Sequence, residues 1–160
     1  MIQLYILTKD RPNELKEALI SAINQDSKEI EIIVSDNSEM LETSQMMADN
    51  FSNIHYIKRV PHLEASEHSR VVIEESSAEY VMLFHDDDIL EPTHVSDILS
   101  KFQKYPDLVA AASNGTYIGD FFLNNREIMN LSKDVVIERP KEIFEYYLGL
   151  HPSGSSIPPL

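Results

Sequence analysis

The sequence predicts an α/β domain with a mostly parallel sheet and helices on both faces of that sheet. Short apolar runs alternate with helical patterns, and this alternation of strand and helix occurs four times along the chain. The length of 160 residues suits a single domain with a substantial core. Parallel strands need crossover connections, and these place the helices over the faces of the sheet.

The first half of the chain begins with Ile2–Leu7, a near-continuous apolar run typical of a strand that is buried on both faces. Pro12 suits the first turn of a following helix. The apolar face of that helix repeats at helical spacing, at Leu15, Ala18, Leu19, Ala22 and Ile23. The next predicted elements are a strand over Ile30–Ser35, a helix over about Leu41–Asn50 and a strand over Ile54–Lys58.

The second half continues with a predicted helix over about Glu64–Ser76, whose apolar stripe is ragged, and with the most apolar strand, Tyr80–Phe84. An amphipathic helix follows Pro92, with its apolar face at Val95, Ile98, Leu99 and Phe102. The remaining predicted elements are strands over Leu108–Ala112 and Val135–Ile137 and a short helix over Ile143–Leu148.

Composition excludes several classes of protein. A net charge of −14 argues against a nucleic-acid partner, because phosphate backbones attract a basic surface. The absence of cysteine excludes disulfides and thiolate metal sites and fits a reducing, cytoplasmic compartment. No apolar run approaches the roughly 20 residues of a transmembrane helix, which leaves peripheral membrane contact open. The start of the chain lacks the pattern of a signal peptide.

Polar clusters follow three of the predicted strands. They are Thr8-Lys9-Asp10-Arg11, Asp36-Asn37-Ser38 and His85-Asp86-Asp87-Asp88. Ligands of open α/β sheets bind beyond the carboxyl ends of the strands, so we expect the three clusters to share one edge that binds a ligand.

The acidic triplet Asp86-Asp87-Asp88 is the strongest candidate site. Three adjacent carboxylates repel one another, and a divalent cation such as Mg²⁺ or Mn²⁺ relieves that repulsion. The structural alternative is a solvated acidic turn before the helix near Pro92. The position directly after an apolar strand favours a binding site.

Thr8, Arg11 and Asp36 are weaker candidates. Asp36 can accept hydrogen bonds from a base or a ribose, and Thr8 and Arg11 can bind phosphate. The same residues also suit turns and helix starts. The chain has four glycines, none of them after the first strand, which excludes the dinucleotide fingerprint and the phosphate loop.

Taken in order, three segments resemble family 2 glycosyltransferases. The opening Ile-Leu-Thr-Lys-Asp-Arg-Pro-Asn-Glu-Leu resembles the first strand and turn of that family. Glu31–Ser38 resembles its second strand with a nucleotide-binding Asp, and Glu79–Pro92 resembles its DXD segment. The resemblance covers nearly the whole chain and implies the GT-A fold, a Rossmann-like, mostly parallel sheet.

The resemblance also implies roles for single residues. Thr8 and Arg11 match positions near the nucleotide, and Asp36 matches one aimed at the base. Arg70 lies in a segment that reaches toward the base in relatives, although this chain lacks the usual Ala-Arg-Asn-x-Gly pattern. In the metal motif, His85 stands where many relatives carry Asp.

With His85 in the first position of the DXD motif, Asp87 becomes the ligand of Mn²⁺ or Mg²⁺ and Asp86 lies beside the ribose or phosphate. A pair made of Asp86 and Asp88 is the other reading of the motif. Asp88 is otherwise mainly a residue of the helix start.

The implied activity is metal-dependent, inverting transfer of a sugar from a nucleotide-diphosphate sugar to a hydroxyl of a saccharide or lipid-linked acceptor, as in polysaccharide biosynthesis. We expect residues 1–160 to be a single glycosyltransferase-like domain that is truncated before the general base, which is expected beyond Leu160. The alternatives are a non-catalytic nucleotide- or metal-binding module and a nucleotidyltransferase. The latter typically has a glycine-rich basic loop after the first strand. A receiver domain is disfavoured because Thr8-Lys9 stands where it needs acids.

Overall fold

The computed structural model describes residues 1–118 and 135–137. The chain divides into two compact units, Met1–Leu108 and Val109–Leu160, and the first unit consists of alternating strands and helices. Its elements in chain order are β1 (Ile2–Thr8), α1 (Pro12–Ile23), β2 (Ile30–Asp36), α2 (Glu42–Asn50), β3 (His55–Lys58), α3 (Ala65–Glu75), β4 (Tyr80–His85) and α4 (His94–Lys104). The alternation of strand and helix predicted for this part of the chain is confirmed, and each strand boundary lies within one residue of its prediction.

The four strands are all parallel and lie in the order β3-β2-β1-β4. Every residue of β1 is buried, as its continuous apolar run predicted. The chain builds the sheet outward from β1 to β3 and then returns to the other side of β1 to form β4. The strand order therefore reverses between β1 and β4, and such a switch point is where open α/β sheets form a ligand crevice.

Two apolar clusters cover the two faces of the sheet, which confirms the predicted layers. The larger cluster joins α1 and α2 to the sheet through residues that include Leu4, Ile6, Leu15, Leu19 and Met47. The smaller cluster packs Val72 of α3 against the opposite face, and its other members are Tyr5, Leu7 and Ile33. Alternate residues of β1 thus belong to different clusters, because successive side chains of a strand point to opposite faces.

A buried polar network also attaches α3 to the sheet. The Ser35 hydroxyl lies 2.7 Å from Nε2 of His68 and accepts a hydrogen bond of 2.8 Å from Nε of Arg59. The Arg59 guanidinium binds both carboxylate oxygens of Glu75 at 2.9 and 2.8 Å. Since His68 and Glu75 both belong to α3, this network fixes the helix against β2 and the end of β3.

Two predicted strands are not formed. Residues 108–112 have no regular secondary structure, and the side chain of Val109 is 97% exposed. The run is rich in alanine, which has weak strand propensity, and its apolar character alone does not bury it. Residues 135–137 also form no strand, and Val135 and Val136 are exposed. The helix predicted over 143–148 lies outside the described residues.

Candidate functional site at the carboxyl edge of the sheet

The strand ends place four side chains in a row on one face of the sheet. Lys58 pairs in register with Asp36, and Asp36 pairs with Thr8. Asp86 directly follows β4 and lies on the other side of Thr8, to which it is hydrogen-bonded. Neighbouring strands are about 4.8 Å apart, so the row spans about 14 Å. We call these four residues the strand-end row.

Thr8 and Asp86 form the contact at the switch point. The Thr8 hydroxyl donates a hydrogen bond of 2.7 Å to Oδ2 of Asp86, and both side chains are buried. The backbone N–H of Asp86 continues the ladder by donating to the Leu7 carbonyl at 3.2 Å. Burial raises the pKa of Asp86, while the hydrogen bond from Thr8 and the charge of Arg11 act in the opposite direction.

Arg11 joins two acids of the triplet. Its Nη1 lies 3.3 Å from Oδ1 of Asp86 and 3.0 Å from Oδ2 of Asp87. The side chains of Arg11 and Asp87 are about half exposed, at 51% and 58%, so this end of the row faces solvent. The neighbouring carboxylates, Asp86 first, raise the pKa of the guanidinium. The half-exposed guanidinium uses only Nη1 in these contacts, so its other N–H groups can donate to an anion.

The three acids of the triplet have different environments. Asp86 is buried and bonded to Thr8, whereas Asp87 and Asp88 are exposed. Asp88 belongs to a tight turn in which its N–H donates to the His85 carbonyl at 3.3 Å. Burial, followed by the charge of Asp87, raises the pKa of Asp88. The three carboxylates therefore differ in burial and in their hydrogen-bond partners.

The carboxylates of the triplet suit a hard divalent cation that takes most of its ligands from water and substrate. Within residues 1–118 and 135–137, no group of three or more His, Asp or Glu side chains is arranged to hold a metal ion. Mg²⁺ typically takes only one or two protein carboxylates, and water and substrate phosphates fill its other positions. The exposed, mutually repelling carboxylates of Asp87 and Asp88 can supply such a pair.

Asp36 lies at the other half of the row and is fully buried. Its Oδ1 accepts the backbone N–H of Ser38 at 2.8 Å, and its Oδ2 accepts the Tyr56 hydroxyl and Nζ of Lys58, the latter at 3.0 Å. Burial by itself raises the pKa of Asp36, but the hydrogen bonds from Ser38, Tyr56 and Lys58 prevail and hold the pKa below its ordinary value. Burial and the proximity of Asp36 raise the pKa of Tyr56.

Three loops above the row are tied together. Asp10 adopts a left-handed backbone conformation with φ of 55°, and its carboxylate accepts the N–H of Glu39 at 3.0 Å. Asp tolerates this conformation better than most residues because its side chain bonds locally. The side-chain amide of Asn37 pairs with the backbone of Leu63 through two bonds of 2.8 Å. The loops after β1, β2 and β3 therefore hold the edge of the sheet in one arrangement.

Of the residues that the sequence predicted, the structure brings together Thr8, Arg11, Asp86 and Asp87, with Asp36 in the same row. Arg70 is placed differently. Its guanidinium lies on the exposed side of α3 and pairs with Glu74 at 2.7 Å and Glu67 at 3.5 Å. A role for Arg70 near a base stays a prediction.

Tyr56 and Lys58 were not among the residues that the sequence predicted for the site. Both lie on β3 and donate to Asp36. Their spacing of two residues places them on one face of the strand, which is the only signal that the sequence carries for them. The pairing of β3 with β2 decides which face that is, and short runs do not reveal their register.

Within the described residues, none of the helices combines the length and the apolar composition that crossing a bilayer requires.

Comparisons with known proteins agree with this architecture. A family model described as Glycosyl transferase family 2 matches residues 4–155. No curated protein matches the chain. Among solved structures, S. aureus TarS is 18% identical with a TM-score of 0.56, over 64% of this chain and 19% of that protein.

Two liganded structures are also similar. S. aureus TarS 1-349 in complex with UDP-GlcNAc is 18% identical with a TM-score of 0.53, over 66% of this chain and 32% of that one. A mannosyltransferase, PcManGT from Pyrobaculum calidifontis in complex with GDP-Man and Mn²⁺, is 15% identical with a TM-score of 0.53, over 68% and 32%. At these identities the likeness establishes a shared fold, and it confirms the predicted GT-A fold. The chain spans about a fifth to a third of the length of these proteins.

Proposed function

The chain belongs to glycosyl transferase family 2, and from this membership we propose that it binds a nucleotide-diphosphate sugar and takes part in transfer of the sugar to an acceptor hydroxyl. The contact between Thr8 and Asp86 carries the proposal. It lies at the point where the strand order reverses, with the Arg11 cation and the exposed Asp87 carboxylate beside it. This combination suits a diphosphate whose charge is shared between a guanidinium and a divalent metal.

In this proposal Asp87 and Asp88 hold Mn²⁺ or Mg²⁺ at the exposed end of the row. When bound, the metal supplies a positive charge that stabilises the leaving diphosphate as the bond to the sugar breaks. Asp86, fixed by Thr8, lies beside the ribose or phosphate, and Arg11 pairs with phosphate oxygens. The ligands in the similar structures, UDP-GlcNAc in one and GDP-Man with Mn²⁺ in another, support a nucleotide sugar and a divalent cation.

The nucleoside then lies toward β2 and β3, with Asp36 at that end of the row. Arg70 is assigned to the same end, which requires its guanidinium to leave Glu74 and reach the base. These assignments follow the family resemblance and the direction of the row. They are proposals for the donor half of the site.

The acceptor half of the reaction needs a general base that removes the proton of the attacking hydroxyl. We assign this base to none of the described residues, which supply the donor-binding part of the site. Direct attack of the hydroxyl on the sugar carbon inverts that carbon. The acceptor is a saccharide or a lipid-linked sugar, approached in the cytoplasm or at a membrane surface.

Isothermal titration calorimetry tests donor binding. The 160-residue chain is titrated with UDP, GDP, CDP and ADP in the presence of Mn²⁺ and again with a chelator. We expect saturable binding of at least one nucleotide with Mn²⁺ and loss of most of that binding with the chelator. Equal binding with and without the chelator would contradict a role of the metal in nucleotide binding. If no nucleotide binds at all, the proposed function is wrong.

A pair of variants locates the metal. Asp87→Asn removes one charge from the proposed ligand set, and we expect it to weaken metal-dependent nucleotide binding about tenfold or more, because even outer residues of metal sites contribute that much. Asp49→Asn makes the same change of charge on the exposed end of α2 and serves as the control. Equal effects of the two substitutions would place the metal elsewhere.

A further inference from the structure

We propose that Lys58 is a specificity-determining residue for the nucleoside, and that its ammonium donates a hydrogen bond to the carbonyl oxygen O4 of uracil or O6 of guanine. The inference rests on the proposed function, because it takes the diphosphate to lie at the acidic end of the strand-end row. From that end the nucleoside extends along the row toward β3. Lys58 is the last residue of β3 and the far end of the row.

The carboxylate of Asp36 holds the Lys58 ammonium at the far end of the row. Its side chain has no exposed area and already accepts three hydrogen bonds, from Ser38, Tyr56 and Lys58. A carboxylate has about four lone-pair sites, and the remaining one is enclosed. Asp36 therefore fixes the position of the Lys58 ammonium.

Lys58 is the partly exposed member of this group. Its side chain is 26% exposed, and its ammonium lies 3.0 Å from Oδ2 of Asp36 and 3.3 Å from the Met40 carbonyl. An ammonium has three donors and no acceptor. Two donors are directed at Asp36 and Met40, and the third remains for a group that approaches from solvent. That group must be an acceptor.

The apolar surface beside the ammonium suits a flat ring. The side chains of Met40 and Leu41 are 63% and 75% exposed, and they line a shallow depression together with Glu42 and Gln45. Large apolar side chains exposed side by side often mark a binding surface. A base that packs on Met40 brings its polar edge to the ammonium that the Met40 carbonyl holds.

The hydrogen-bonding groups of the bases predict which nucleotides the site prefers. Uracil presents O4 and guanine presents O6, both acceptors, where cytosine and adenine present amino groups that donate. A fixed ammonium binds the first kind of edge and opposes the second. The site should therefore favour UDP over CDP, or GDP over ADP, according to the size of base that it admits.

The test compares these pairs of nucleotides in calorimetric titrations with Mn²⁺, on the unaltered chain and on Lys58→Met. We expect the unaltered chain to bind UDP about tenfold or more tightly than CDP, or GDP than ADP, in line with a hydrogen bond to a charged group. The Lys58→Met variant should bind the preferred nucleotide about tenfold more weakly and the amino-bearing one at least as tightly as the unaltered chain does, because the opposing ammonium is gone. The preference between the two nucleotides should thus disappear.

Tyr56→Phe is the matched control, because it removes one hydrogen bond that Asp36 accepts and leaves the ammonium in place. It should keep the preference. A second measurement needs no variant: the thio analogue of the preferred nucleotide, with sulfur in place of O4 or O6, should bind the unaltered chain several-fold more weakly, since sulfur is a weak acceptor.

The outcomes separate this inference from the proposed function. If the unaltered chain binds no nucleotide, the proposed function fails and this inference fails with it. A different outcome is that the unaltered chain binds nucleotide while Lys58→Met lowers the affinity for all nucleotides equally or for none. In that case only the role of Lys58 is overturned. An unchanged affinity for the thio analogue would overturn it as well, even if Lys58→Met did not fold.

Discussion

Thr8 and Asp86 lie 78 positions apart in the sequence and share a buried hydrogen bond of 2.7 Å. The bond joins the ends of β1 and β4, the two strands between which the order of the sheet reverses. It fixes a buried carboxylate at the centre of the candidate site. The site therefore depends on the same contact that closes this part of the sheet.

Replacing Thr8 by Val should destabilise the fold, because the carboxylate of Asp86 would stay buried without its hydroxyl donor. The expected loss in the free energy of unfolding is about 1–3 kcal/mol. Equilibrium urea denaturation measures it. Thr8→Ser is the control, since it keeps the hydroxyl and removes one methyl group, at a cost of about 1 kcal/mol or less. If Val costs no more than Ser, the hydrogen bond contributes nothing measurable.

Two neighbouring glutamates of α3 should differ in their contribution to stability. Glu75 binds the nearly buried Arg59 with two hydrogen bonds, whereas Glu74 pairs with Arg70 at the exposed surface. Glu75→Gln leaves the Arg59 guanidinium without its carboxylate and should cost about 1 kcal/mol, a modest value because the Glu75 side chain is 45% exposed.

Glu74→Gln makes the same chemical change one residue away and should alter the free energy of unfolding by less than about 0.5 kcal/mol. Urea denaturation of the two variants under identical conditions compares them directly. Equal losses would show that the network of Arg59 and Ser35 adds little to the attachment of α3.

The order of strands and helices was predictable because each element carries its own pattern. The continuous apolar run of β1 and the helical spacing of Leu15 and Leu19 in α1 are local signals, and local signals fix the type of an element. The edge that gathers Thr8 and Asp86 followed from a general rule of parallel sheets. Residues 108–112 show the opposite case, since an apolar run forms a strand only where a neighbour pairs with it.

The surroundings of Asp36 were not predictable in the same way. Whether Lys58 meets Asp36 depends on the register of β3 against β2, and a shift of one residue would turn Lys58 to the other face. The complete burial of Asp36 likewise depends on Tyr56 and on the loop after β2, which contains Ser38. The sequence identified the carboxylate as a candidate and gave no indication that it would be enclosed.

Arg11 should compete with a metal ion for Asp87. The guanidinium lies 3.0 Å from the carboxylate that is proposed to bind the metal, and both side chains face solvent. Arg11→Gln should therefore tighten Mn²⁺ binding in the absence of nucleotide by about two- to fivefold, the range expected for an exposed ion pair. The same variant should weaken nucleotide binding in the presence of Mn²⁺, because Arg11 no longer pairs with phosphate.

Lys9→Gln is the control for Arg11, since it removes an exposed cation two positions away. Titration calorimetry with Mn²⁺ alone, and then with nucleotide and Mn²⁺, measures both effects. If Arg11→Gln changes the two affinities in the same direction, Arg11 does not exchange between the carboxylate and the phosphate.

His68 should make the stability of the fold depend on pH. The ring is 6% exposed and bonded to Ser35, and burial, followed by the charge of Arg59, lowers its pKa below the ordinary value. Asp36 and Glu75 act in the opposite direction, and His85 adds to the lowering. Because the folded chain binds the proton less readily than the unfolded chain, protonation favours unfolding. Stability is therefore complete above about pH 6.5 and decreases as the pH falls from there through the lowered pKa.

His68→Gln removes this titration and keeps a polar side chain of similar reach beside Ser35. We expect urea denaturation between pH 7.5 and 5 to show a steeper loss of stability for the unaltered chain than for the variant, by up to about 1.4 kcal/mol per pH unit, the limit for one proton. The partly buried His94, whose pKa burial also lowers, titrates in both proteins and cancels in the difference. If His68→Gln has the same pH dependence as the unaltered chain, His68 accepts a proton in the folded state as readily as in the unfolded state, and the network around Ser35 tolerates the charge.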